Sequence, residues 1–202
     1  MSNFDSFWQP GDAFMRSGDA RSAHKSYRNA WEKHAADRKT AAENGTLAQY
    51  DQQYPSKGAF WLLMRSANAQ FCLGDFEDTL DTGATIFNIF KDVGHVVGNP
   101  FFHLRMGQAS FEIEDPATRD TTSMSIDNLA RALICGGIEI FSNEDPKYLA
   151  PILQVLRPPA GFDSWHSAHG QGCALDQLNG ASGFLAALFE SKYGTPPPYP
   201  AA

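Results

Sequence analysis

Long hydrophobic runs are missing from this chain. No stretch approaches the roughly 18 apolar residues that a membrane-spanning helix needs, so a membrane role is not expected. Cysteine is scarce: Cys72, Cys135 and Cys173 are odd in number and widely spaced, which argues against a disulfide framework. The N-terminal stretch MSNFDSFWQPGDAF lacks both the basic and the apolar segments of a secretion signal, so a reducing cytoplasm is the expected compartment. Positive charge is also short, with 16 Lys and Arg against 23 Asp and Glu and a net charge of −7. The deficit is uneven: residues 1–57 hold eight basic against seven acidic residues, and the remainder eight against sixteen. Such a surface disfavours nucleic acid and anionic membranes, and it favours solubility or a basic partner protein. No segment alternates as a strand does.

What the sequence does contain is helical periodicity. In SGDARSAHKSYRNA (17–30), Ala23, Tyr27 and Ala30 share one helical face, and Gly18-Asp19 supplies a turn and a cap. That helix is expected over 19–38, with Trp31 extending its apolar stripe. Turn signals at Asn44-Gly45 and Pro55 predict a loop with a short helical piece over 41–58. An apolar helix then reaches Leu73, Gly74-Asp75 turns the chain, and Phe76, Leu80, Ala84 and Phe87 are expected as the next buried stripe. Pro100 opens another helix. After the polar insertion 116–125, helix resumes over 126–141, with Gly136-Gly137 expected to kink or loosen it. A last helix over 145–156 has Asp145 as cap. Beyond Arg157 the chain is rich in Gly, Pro and Ser, with a short closing helix expected in SGFLAALFESKYG and an extended tail in TPPPYPAA.

Helix, tight turn and helix, recurring with small residues at fixed offsets, resembles the tetratricopeptide repeat. Residues 4–37 match its order of small residue, aromatic, Gly-Asp, Ala, aromatic, Ala through Gly11, Phe14, Gly18-Asp19, Ala23, Tyr27 and Ala30. Pro10 departs from the usual leucine, which predicts a short first helix. A second copy from Phe60 keeps Ala67 and Gly74-Asp75-Phe76, with Gln70, Thr79 and Gly83 at the other signature positions. A third from Pro100 keeps Gly107 and Asp115 but has Glu114 in place of the turn glycine. The copies start 56 and then 40 residues apart rather than the repeat's 34. The segment LARALICGGIEIFSNEDPKYL also looks like one seen in small bacterial repeat proteins encoded beside polymorphic toxins, where they act as immunity proteins.

Several constellations could carry chemistry. Asp163, His166, His169 and Cys173 in DSWHSAHGQGC offer three zinc ligands or a Cys–His nucleophile pair, but the spacing matches no standard structural site and no orienting third group is evident. A metal-dependent hydrolase on that segment is therefore the lesser alternative. The carboxylates in GDFEDTLD and FEIEDP sit where helices begin or end, so capping explains them. GHVVGNP lacks the lysine of a phosphate loop.

The expected fold is all-α: irregular tetratricopeptide-like hairpins stacked in a short superhelix over residues 1–156, then a loop-rich extension over 157–202. The resemblance implies a non-catalytic, cofactor-free protein binder, most specifically an immunity protein that neutralises a cognate toxin, or else a chaperone or adaptor for a secreted protein. In such repeats the first helix of each pair lines the concave face. That implies a partner surface of Trp8, Asp12 and Arg16, then Met64, Asn68 and Phe71, then Leu104, Gln108 and Glu112.

Overall fold

The computed structural model describes residues 4–90, 96, 99–119, 123–136 and 138–155. It is all-α, with no strand among these residues. The helices are α1 (Asp5–Arg16), α2 (Ala20–Glu43), α3 (Leu47–Gln53), α4 (Ser56–Leu73), α5 (Phe76–Phe90), α6 (Pro100–Ile113), α7 (Met124–Gly136) and α8 (Pro146–Val155), with a short 3-10 turn at Ile138–Phe141. The chain divides into two compact units, one ending at Val97 and the other starting at Gly98. The expected C-terminal extension, its closing helix and its tail lie outside the described residues.

In the first unit, α1 packs on α2, α2 on α4, and α4 on α5. Gly18 and Gly74 end α1 and α4 with φ of 80°, a left-handed conformation that only glycine adopts without strain. Asp19 then caps α2 by accepting from the Ser22 amide at 2.9 Å, and the Ser22 hydroxyl together with this amide holds its carboxyl below the usual range. Ala23 and Tyr27 are buried as the spacing predicts. Gly11 is needed where Tyr27 crosses α1: a Cβ there would lie 2.3 Å from the tyrosine ring. The expectation of a shortened first helix is corrected, because α1 runs for 12 residues straight through Pro10. This proline is the sixth residue of the helix and forfeits an interior amide donor, a cost offset by the packing of α1 on α2.

The buried stripe of α5 also differs from expectation. Thr79, Gly83, Ile86 and Phe90 face inward, while Ala84 and Phe87 are exposed and Phe76 and Leu80 are half-buried. Thr79 fits the interior because its hydroxyl donates to the Asp75 carbonyl at 2.9 Å, leaving its methyl to pack. The inner face thus combines the signature positions Thr79 and Gly83 with Ile86 and Phe90, and leaves Phe87 outside.

In the second unit, α6 packs on α7, and α7 on α8 and the 3-10 turn. Asn99 caps α6 by accepting from the Phe102 amide at 3.0 Å. The polar insertion is tied down by Arg119, whose guanidinium lies 3.5 Å from the Phe111 ring centroid and donates to the Phe111 and Glu114 carbonyls. Glu114 in turn accepts from the amide and hydroxyl of Ser125 at the start of α7. α7 stops at Gly136, short of the expected end at 141, and the 3-10 turn Ile138–Phe141 follows. Asp145 accepts from the Lys147 amide at 2.9 Å, capping α8.

Candidate functional site

The expected partner-binding residues fall into three environments. On α1, Trp8 is half-buried beneath the Arg65 guanidinium, which lies 4.4 Å from its ring centroid, and Arg16 is exposed. Asp12 has two internal partners: its Oδ1 accepts from the Tyr27 hydroxyl at 2.6 Å and from Arg65 Nε at 3.0 Å. Burial, then the adjacent carboxylate, pushes the Tyr27 phenol well above its ordinary value. On α4, Asn68 and Phe71 are half-buried, Phe71 against the Phe76 ring.

Met64, Leu104 and Gln108 are buried side chains, so the structure corrects their place on an open surface. The reason lies in α4 and α6, whose buried residues run round most of each helix, with α4 also lying between α2 and α5. Gln108, fully buried, shares Glu144 with Arg105: its Nε2 donates to Glu144 Oε2 at 2.8 Å, and Arg105 donates to the same oxygen at 3.0 Å. Glu112 accepts from the Tyr148 hydroxyl at 2.5 Å and from Lys147 Nζ at 2.7 Å. Burial alone would raise its carboxyl, but those two donors outweigh it and hold the group below its ordinary value. Both acidic residues expected to face a partner are thus engaged within their own units. The zinc or nucleophile candidates Asp163, His166, His169 and Cys173 lie outside the described residues, and no cluster of metal-ligating side chains occurs among those described.

A different site lies in the first unit. A half-open groove of about 760 Å³ runs between the second half of α2, the end of α3 and the end of α5. From α2 come Trp31, His34, Ala35, Arg38, Lys39 and Ala42; Asp51, Tyr54, Pro55 and Ala59 form the opposite wall, and Ile89 and Phe90 close one side. Arg38 holds α3 in place through a two-pronged pair with Asp51, at 2.8 and 3.0 Å. That pairing keeps the Asp51 carboxyl below its ordinary range.

At the groove lies His34, only 4% exposed and packed among Phe4, Phe7, Trp31, Tyr50 and Tyr54. The Tyr50 hydroxyl lies 2.9 Å from His34 Nδ1 and 3.2 Å from the His34 carbonyl, tying the end of α3 to α2. Burial, reinforced by the nearby Arg38 charge, pushes the imidazole below its ordinary value and favours its neutral form. Burial likewise raises the Tyr50 phenol to about 12.

Sequence reasoning missed this groove. Trp31 was legible as part of an apolar stripe, but a lone histidine on that helix carried no signal of its own. The size and apolar lining suit either a small molecule or a few side chains of a partner. Among the described residues no helix is long and apolar enough to cross a membrane. Comparison with known proteins finds no matching family model, no matching curated protein and no matching solved structure.

Proposed function

We propose that the chain is a non-catalytic protein-binding helical protein of the cytoplasm, and that it holds a segment of its partner in the groove of the first unit. The observation carrying this proposal is the groove itself: about 760 Å³, apolar and aromatic in its walls, polar at its edge. That combination of a desolvated centre and a polar rim is what a protein interface uses for its anchor residues.

The more specific proposal is an immunity protein that captures a basic toxin domain. Its support is the resemblance of the sequence and the negative charge of the chain, together with Asp75, Glu77, Asp78 and Asp81, which stand exposed at and just after the start of α5. Carboxylates in such a position speed the encounter with a basic surface.

The test is recovery of the tagged chain and its Ala35→Glu variant from native cells, at low and moderate salt, with mass spectrometry of what accompanies each. Ala35 is exposed on α2 and lines the groove, so the variant places a charge in the site without disturbing the core. One stoichiometric basic partner, kept by the parent chain and lost by the variant, is the expected result, and toxicity of that partner expressed alone would establish immunity. Several unrelated clients would replace immunity by a chaperone role. Equal recovery by both chains would remove the groove from the interaction, and absence of any partner at both salts would overturn protein binding.

A further inference from the structure

The groove wall formed by α3 is held less firmly than the helices before and after it. α2 and α4 both carry buried residues, whereas none of the seven residues of α3 is buried, and Leu47, Tyr50 and Asp51 are half-buried at most. A turn at Gly45, with φ of 70°, joins α3 to α2, and extended backbone at Pro55 joins it to α4. Tyr54, just past its end, is wedged against the rings of Phe4 and Phe7, each 5.5 Å away. Between those ends α3 is fastened to α2 by side chains. One tie is the Arg38–Asp51 ion pair, 51% and 43% exposed, which contributes little and is screened by salt. Another is the Tyr50 hydroxyl on His34. A segment with so little buried opens locally at lower cost than the unit as a whole.

The His34 tie has a chemical trigger. Its ring is buried among aromatic side chains, where a charged imidazole finds no water. From α1 it is faced by the uncharged Phe4 and Phe7, and from α3 by the phenols of Tyr50 and Tyr54 and by the Asp51 carboxylate. On its own helix Arg38 opposes a proton on the ring, while Asp37, like Asp51, favours one. Burial together with Arg38 prevails, so the closed arrangement keeps the ring neutral. When α3 moves away the ring regains water, and its affinity for a proton returns toward that of an ordinary imidazole. Acid therefore favours the open arrangement, whichever ring nitrogen carries the proton of the neutral form.

We infer that α3 is a gate on the groove, latched by His34 and released by mild acid. Opening takes Asp51 out of the wall and uncovers His34, so the groove loses its shape. Seven residues do not hold a helix by themselves, so release from α2 also frees the amides of α3. The gate rests on this packing alone. Its consequence, that a held segment is shed as pH falls, rests on the protein-binding reading of the groove.

The test is amide hydrogen exchange on the full chain at about pH 7.5 and about pH 5.5, corrected for the intrinsic exchange rate. It follows the Tyr50 and Tyr54 amides, which donate to the Thr46 and Tyr50 carbonyls. The expected result is an α3 opening that low urea leaves unchanged and that grows several-fold at the lower pH. Its ceiling is about tenfold, set by a ring that titrates near 6.5 once open. Amides in the middle of α4 open more rarely and respond to urea. His34→Gln abolishes the pH ratio. Should that chain not fold, Asp51→Asn decides, since it loosens α3 at both pH values and leaves the ratio in place. Exchange of the α3 amides only together with those of α4, or a ratio of one in the parent chain, overturns the gate. A ratio lost in Asp51→Asn transfers the effect to the ion pair and overturns the latch at His34. If Ala35→Glu keeps the cellular partner while the ratio stands, groove docking has failed and the gate survives without its consequence. If Ala35→Glu loses the partner while the ratio is one, docking stands and the gate alone falls.

Discussion

Removing the Asp12 carboxylate should destabilise the first unit before it changes any binding. Tyr27, 1% exposed, donates to Asp12 at 2.6 Å, and a hydrogen bond to a charged acceptor contributes about 1.5–3 kcal/mol. Asp12 keeps 27% of its side chain in solvent, so the lower half of that range, about 1.5–2 kcal/mol, applies. The second donor, Arg65, is 32% exposed, and a pair so placed adds only about 0.5–1 kcal/mol. Asp12→Ala should therefore cost about 2–3 kcal/mol, Tyr27→Phe about 1.5, and Arg65→Gln under about 1. Urea denaturation followed by tryptophan fluorescence is the assay, because Trp8, Trp31 and Trp61 all belong to the first unit and Trp165 is the only other tryptophan. A double-mutant cycle between Asp12→Ala and Tyr27→Phe should return a coupling of about 1.5 kcal/mol, most of it surviving high salt. Strict additivity, or an Asp12→Ala cost below about 0.5 kcal/mol, would refute a structural role for this carboxylate.

Two further outcomes follow from packing and charge. His34 is held below its ordinary pKa in the folded chain, so the unfolded chain takes up its proton first as pH falls. The first unit should be most stable above the unfolded value near 6.5 and should weaken as pH drops from there toward the folded value; His34→Gln should flatten that part of the profile. In the second unit, a Cβ on Gly107 would lie 2.7 Å from Leu129 Cγ and 2.8 Å from the Leu129 amide nitrogen. Because backbone cannot swing aside, Gly107→Ala should cost at least about 2 kcal/mol by thermal circular dichroism, and an unchanged melting temperature would show that α6 and α7 are not so closely apposed.

Helix existence and turn chemistry were legible in the sequence because they are local. Gly18-Asp19 and Gly74-Asp75 announced two left-handed turns, and Asn99-Pro100 and Asp145-Pro146 announced two helix starts. The inner face of α5 was not legible from hydrophobicity, since Phe87 is exposed while Thr79 and Gly83 are buried. There the signature offsets of the repeat pointed to the right face where the apolar spacing pointed to the wrong one. Met64 and Gln108 were misplaced for the converse reason: an open concave face presumes regular hairpins, and helices packed round most of their circumference bury the positions that such a face would show. The groove eluded sequence reasoning because its walls come from residues 31 to 90, drawn together only by the fold. His34 gains its meaning from Tyr50, sixteen residues away, and not from any neighbour in sequence.

The short helix α3 is surplus to a regular repeat, and the groove depends on it. With 56 residues between the starts of the first two hairpins instead of 34, the chain has room for a longer α2 and for α3. Together these supply Arg38, Lys39, Ala42, Asp51 and Tyr54. Trimming residues 44–55 to a tight turn would bring the spacing nearer the consensus and delete one wall of the cavity along with the phenol that bonds to His34. Idealising this chain would therefore erase its groove while leaving its hairpins intact, so departure from the pattern is where its individuality resides.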